Sequence, residues 1–141
     1  MKYAWRSIAA LLLTMLLSRC SKPEPPPASA EPEALSRTEF TGRVENYFEY
    51  EPLRGGKSSQ VRIHLTNLSD GSPVEQADVT LTVRPKGLPD TITQVTSRVG
   101  KVTGIYVAEL TVPRPGDYDI EFHIKNAKLD ERMPLSNFKV E

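Results

Sequence analysis

The chain has 141 residues, one domain's worth, with 18 basic and 18 acidic side chains and a formal net charge of zero. That balance supplies no basic footprint for nucleic acid and no polybasic patch for anionic lipid. Cys20 is the single cysteine, so an intramolecular disulfide is excluded.

Lys2 and Arg6 precede an apolar run from Ile8 to Leu17, interrupted by Thr14 alone. A run of about ten residues is half of what a bilayer span requires, but it suits the apolar core of a signal peptide. Leu17-Ser18-Arg19-Cys20 resembles a lipobox, the cleavage motif of bacterial lipoproteins. Leu17 and Ser18 match it, whereas Arg19 stands where the motif carries a small residue. The resemblance implies that residues 1–19 are removed as a signal peptide and that Cys20 is acylated, so that membrane lipid is one partner of the protein. The alternative is an incidental cysteine behind an ordinary cleaved signal or a short anchor. Losing Lys2, Arg6 and Arg19 leaves fifteen basic and eighteen acidic side chains, a mildly acidic net charge of −3. Ser21 rather than Asp follows the cysteine; under an Asp-type retention rule this favours the outer membrane over the inner, with the domain facing the periplasm.

Ser21 to about Leu35 holds five prolines and almost no large apolar side chain, so it cannot build a core. Its prolines stiffen it toward polyproline II, a spacer reaching up to roughly 45 Å at about 3 Å per residue. The expected organisation is therefore a signal peptide over 1–19, a lipidated cysteine and disordered linker over 20–37, and one folded domain over 38–141.

Within the domain the pattern is short runs of period-two alternation. Val44, Phe48 and Tyr50 share one parity, and Val61, Ile63 and Leu65 alternate with Arg62 and His64. Val79, Leu81 and Val83 form the next face, and Ile92 and Val95 a weaker pair that needs a bulge to face one way. Tyr106, Ala108, Leu110 and Val112 follow. Tyr118, Ile120, Phe122 and Ile124 then alternate with Asp119, Glu121, His123 and Lys125 in the clearest pattern of the chain. Phe138 and Val140 close it, with Pro134 just ahead as a breaker. Pro52, Gly55-Gly56, the Asp70-Gly71 step, Pro85 to Pro89, Gly100, Gly104 and Pro113 to Gly116 punctuate these runs as turns. No segment carries a sustained helical period. About seven short strands, each with one apolar face, predict an all-β, immunoglobulin-like two-sheet antiparallel β-sandwich. Gly116-Asp117-Tyr118 resembles the tyrosine corner of such folds, and Tyr118 is equally readable as a plain core aromatic.

Chemistry-bearing residues are sparse. His64 and His123 take the outward parity of strands assigned to opposite sheets, so they point apart and cannot share a metal or a proton. Asp117, Asp119 and Glu121, followed by His123, line the outer face of one strand. Such a row attracts a cation weakly and more commonly is the solvated face of a sheet. No Cys-x-x-Cys, His-x-x-x-His, calcium-loop, Gly-x-Ser-x-Gly or Ser-x-x-Lys spacing occurs, so no cofactor and no catalytic group is expected.

Glu45 to Val74 carries a family likeness. Glu49-Tyr50, Pro52-Leu53 and Gly55, then His64-Leu65-Thr66, Leu68-Ser69 and Pro73-Val74, resemble strand ends and turns of one module. That module is the N-terminal immunoglobulin-like domain of periplasmic adaptor (membrane fusion) subunits in RND-type heavy-metal efflux pumps. Arg114-Pro115-Gly116-Asp117-Tyr118 resembles its penultimate turn. The likeness covers roughly residues 40–141. It implies the fold and a kinship with metal-efflux systems. Such adaptors continue into lipoyl-like, helical-hairpin and barrel domains that have no counterpart here, so the expectation is an accessory domain that does not itself bridge a pump to a channel.

Three functions follow in order. The first is a non-enzymatic, lipid-anchored envelope protein whose domain binds an efflux adaptor or another envelope protein, through its outer strand faces and the turn at Asn67 to Pro73. The second is a periplasmic metal-binding module using His64, His123 or the Asp117, Asp119 and Glu121 row. The third, an enzyme, has the least support in the residues.

Overall fold

A computed structural model describes residues 32–141. The expected signal peptide, Cys20 and the linker up to residue 31 lie outside the described residues.

Nine strands run in chain order: β1 Leu35–Phe40, β2 Val44–Tyr50, β3 Ser58–Asn67, β4 Asp78–Pro85, β5 Thr93–Thr96, β6 Arg98–Val99, β7 Ile105–Thr111, β8 Gly116–Lys125 and β9 Asp130–Val140. Every pairing is antiparallel. One sheet has the order β1-β2-β3-β7-β6, the other β5-β4-β8-β9. Setting β1 aside, β2-β3-β7-β6 is the immunoglobulin order A-B-E-D, and β5-β4-β8-β9 is C-prime-C-F-G. The fold is thus an all-β, immunoglobulin-like sandwich. The chain changes sheets between β3 and β4, between β5 and β6 and between β7 and β8.

The inward parities build the core. Phe48, Ile63, Leu65, Tyr106 and Leu110 from the first sheet meet Leu81, Phe122, Ile124 and Phe138 from the second, all buried. Phe48 lies centrally, 4.8 Å from Phe122 between ring centroids and 6.3 Å from Phe138. These separations suit offset aromatic packing.

Four features depart from the sequence expectation. There are nine strands rather than about seven, because β1 and the two-residue β6 carry no apolar period. The domain begins earlier than residue 38: Leu35, Ser36 and Arg37, expected in the linker, pair with Tyr50, Glu49 and Phe48. Ile92 lies just outside β5 and is exposed, so no bulge brings it onto the face of Val95. The last strand starts at Asp130 and runs through Pro134. Pro134 is tolerated because β9 is an edge strand. A bulge does occur in β9: Tyr118 pairs with Phe138 but Ile120 with Leu135, leaving Ser136 and Asn137 opposite Asp119. Asn137 takes a left-handed φ of 69° there. The extra residue turns Met133 and Leu135, and then Phe138 and Val140, onto one inward face.

Tyr118 is both things its sequence position suggested. It is buried, and its hydroxyl donates to the Arg114 carbonyl at 2.9 Å, the tyrosine-corner contact.

Candidate functional site

The register fixes two ends of the sandwich. β1 starts opposite Tyr50, at the end where β2 finishes, and Glu141 pairs with the segment after β2: Gly55 N–H donates to the Glu141 carbonyl at 2.7 Å, and Glu141 N–H to Leu53 at 2.9 Å. Both termini of the described chain therefore share one end. At the other end, one strand length of about 30 Å away, lie the β1–β2 turn, the β3–β4 loop, the β6–β7 loop and the β8–β9 turn.

These four connections are tied to one another and to the core. Asn67 closes the β3–β4 loop through Nδ2, which donates to Ser72 Oγ at 3.0 Å, while Asp70 accepts from the Ser72 amide and hydroxyl at 2.9 and 2.7 Å. The Ser72 hydroxyl bond holds the Asp70 carboxyl below its ordinary value. Asn126 in the β8–β9 turn donates through Nδ2 to the Glu75 carbonyl at 2.9 Å, and its Oδ1 accepts from the Lys128 and Leu129 amides. Arg43 reaches across from the β1–β2 turn to the Lys128 carbonyl at 2.9 Å. Beneath the loop, the buried Tyr106 hydroxyl donates to the Val74 carbonyl at 2.8 Å and accepts from the Ala77 amide at 3.1 Å. Gly104 completes the joint: its φ is +80°, and a Cβ there would meet Pro73 Cβ at 2.6 Å.

Between the loops open clefts of about 400, 270 and 260 Å³. The largest lies between Pro73, Glu75 and Gln76 on one side and Asn126, Lys128 and Leu129 on the other. Gln76, with a φ of 50°, holds a left-handed conformation that glutamine rarely adopts. Four exposed apolar side chains rim this end: Phe40, Leu68, Val99 and Val102 are 61, 44, 62 and 61 % accessible.

The row expected on β8 has the predicted outward parity, but three of its four members, Asp119, Glu121 and His123, are occupied by neighbours. Asp117 is exposed at the start of the strand. Asp119 accepts from the Gly87 amide at 3.3 Å and lies opposite Arg84. Glu121 is bound by Arg132 at 3.0 Å. His123 Nε2 is 2.7 Å from Asp130 Oδ1, a hydrogen bond that lowers the Asp130 pKa. His64 sits on the other sheet, its ring edge-on to Tyr47 at 5.3 Å. Among the described residues, no three His, Cys, Asp or Glu side chains gather as a metal site. The Asn67 to Pro73 turn was singled out from its Asp-Gly signal. Gln76, Asn126 and the apolar rim were not, because strand order alone brings them together.

No helix among the described residues is long and apolar enough to cross a membrane. No protein-family model, no curated protein and no solved structure matches the chain.

Proposed function

We propose that the chain is a non-enzymatic, lipid-anchored protein of the bacterial envelope whose sandwich binds a protein partner of a heavy-metal efflux system through its loop end. The observation that carries this reading is the polarity of the domain. The chain comes in from the proposed tether at one end, and the tied loops, clefts and exposed Phe40, Leu68, Val99 and Val102 occupy the other. A rim of that composition, held by hydrogen bonds rather than left mobile, suits recognition of a folded surface. The pairing of Glu121 with Arg132 and of His123 with Asp130 supports a solvated, structural role for the outer face of β8. The sequence likeness at Glu49 to Gly55 and His64 to Val74 directs the partner search toward efflux adaptors, and the Asn67 to Pro73 turn of that likeness belongs to the loop end.

The test is in-cell crosslinking of the tagged full-length chain, followed by solubilisation and mass spectrometry, with Leu68→Asp and Val102→Asp as rim variants. The reading expects an efflux adaptor, pump or outer-membrane channel, lost in the rim variants. Recovery unaffected by both changes, or of no efflux component, refutes it.

A further inference from the structure

The four edges of the two sheets are not equally guarded. β5 and β6 are only four and two residues long. β9 is long, but Pro134 interrupts its donors, its bulge bends it, and the Arg37 guanidinium occupies the Ser136 carbonyl at 3.0 Å. Short strands, prolines and bulges are the devices by which sheets avoid edge-to-edge pairing. β1 has six residues, no proline, no lysine and no bulge. Among the described residues nothing pairs with its outer edge.

One device remains on β1, the inward-pointing charges Arg37 and Glu39, and it selects the occupant. These side chains sit over the rim of the core, with Arg37 4.8 Å above the Phe138 ring and its Nε donating to Glu39 at 3.1 Å. A neighbouring strand must therefore offer groups that match a base and an acid two residues apart. A second β1 does so in one register. Opposed pairs in an antiparallel ladder alternate between hydrogen-bonded and non-hydrogen-bonded types. A two-fold axis must then pass through one residue facing its own copy. Centring on Arg37 sets arginine against arginine, and centring on Glu39 sets glutamate against glutamate. Centring on Thr38 sets each Arg37 against the other copy's Glu39, threonine against threonine, and Ser36 against the exposed Phe40.

We propose that β1 is a homodimerisation strand: two copies of this chain pair antiparallel through β1 about a two-fold axis at Thr38, joining their first sheets into one of ten strands. The contact is small for a protein interface, so pairing is weak in dilute solution and strengthened wherever a tether concentrates the chains.

Cysteine scanning of the purified full-length chain tests it, with Cys20 present throughout and the parent as background. The register brings Thr38 within disulfide reach of its own copy, and holds Ser36 and Phe40 more than ten ångströms from theirs, so mild oxidation of Thr38→Cys is expected to give about tenfold more covalent dimer than Ser36→Cys or Phe40→Cys. Glu39→Arg in the Thr38→Cys chain removes the charge match and lowers the yield, and adding Arg37→Glu restores it. Equal yields at the three positions, no dimer at Thr38, or a Glu39→Arg loss that Arg37→Glu does not reverse overturns the proposal. So does finding, in cells, that the Thr38→Cys adduct contains a strand from a different protein.

Discussion

Tyr106→Phe removes one oxygen and is expected to cost more than its size suggests. The ring stays buried, so no large cavity forms. The hydroxyl, however, serves two backbone groups of the β3–β4 loop, the Val74 carbonyl at 2.8 Å and the Ala77 amide at 3.1 Å, and both bonds are buried. A buried group left without a partner costs about 1–3 kcal/mol, against about 1 kcal/mol for an ordinary hydrogen bond whose ends regain water. Two orphaned groups give about 2–6 kcal/mol, a large share of the 5–15 kcal/mol that holds a domain together. In urea, with a slope of about 2 kcal/mol/M, the midpoint should fall by about 1–3 M at unchanged slope. Hydrogen exchange adds a local readout: the Ala77 amide should lose protection beyond what the global change explains. A midpoint shift below about 0.5 M, or unaltered relative protection at Ala77, refutes the claim that this hydroxyl anchors the loop end.

Tyr118→Phe makes the contrast. Its hydroxyl makes a single, partly exposed bond to Arg114, so the loss should be about 1 kcal/mol by the same urea measurement. Asp70→Ala should destabilise the domain above about pH 3.8, where the carboxylate is charged, and the difference from the parent should vanish as pH falls through the lowered folded-state pKa; acid unfolding followed by circular dichroism checks it. Cys20→Ser should move the protein from the membrane fraction to the soluble one, and unchanged sedimentation would contradict acylation. Calorimetric titration with copper, zinc, nickel or cobalt should show no saturable binding at micromolar metal, and binding abolished by His123→Ala would bring back the metal-module reading.

How far the fold was legible depended on whether burial and pairing coincide. In β8 they do: Tyr118, Ile120, Phe122 and Ile124 alternate without interruption because a central strand has one face wholly in the core. In β1 they do not. Its inward positions are Arg37 and Glu39, so a strand held by its backbone ladder read as polar linker. β9 was half hidden for another reason. The bulge at Ser136 and Asn137 puts Met133 and Leu135 out of phase with Phe138 and Val140, and Pro134 reads as a stop where an edge strand accommodates it. The candidate site was legible as parity and not as partnership. That Asp119, Glu121 and His123 face outward follows from period two. That Arg132, Asp130 and the Gly87 amide meet them requires the register with β9 and the β4–β5 turn.

The direction of β1 also decides how the domain carries mechanical load. A pull on the chain ahead of Leu35, resisted at the loop end, acts along the β1 axis and away from Phe40. It stresses the six residue pairs from Leu35–Tyr50 to Phe40–Glu45 in parallel, as a lap joint in shear, so they must fail together. The same pull resisted on the outer edge of β1 would bypass these six pairs and load the contacts on that edge instead.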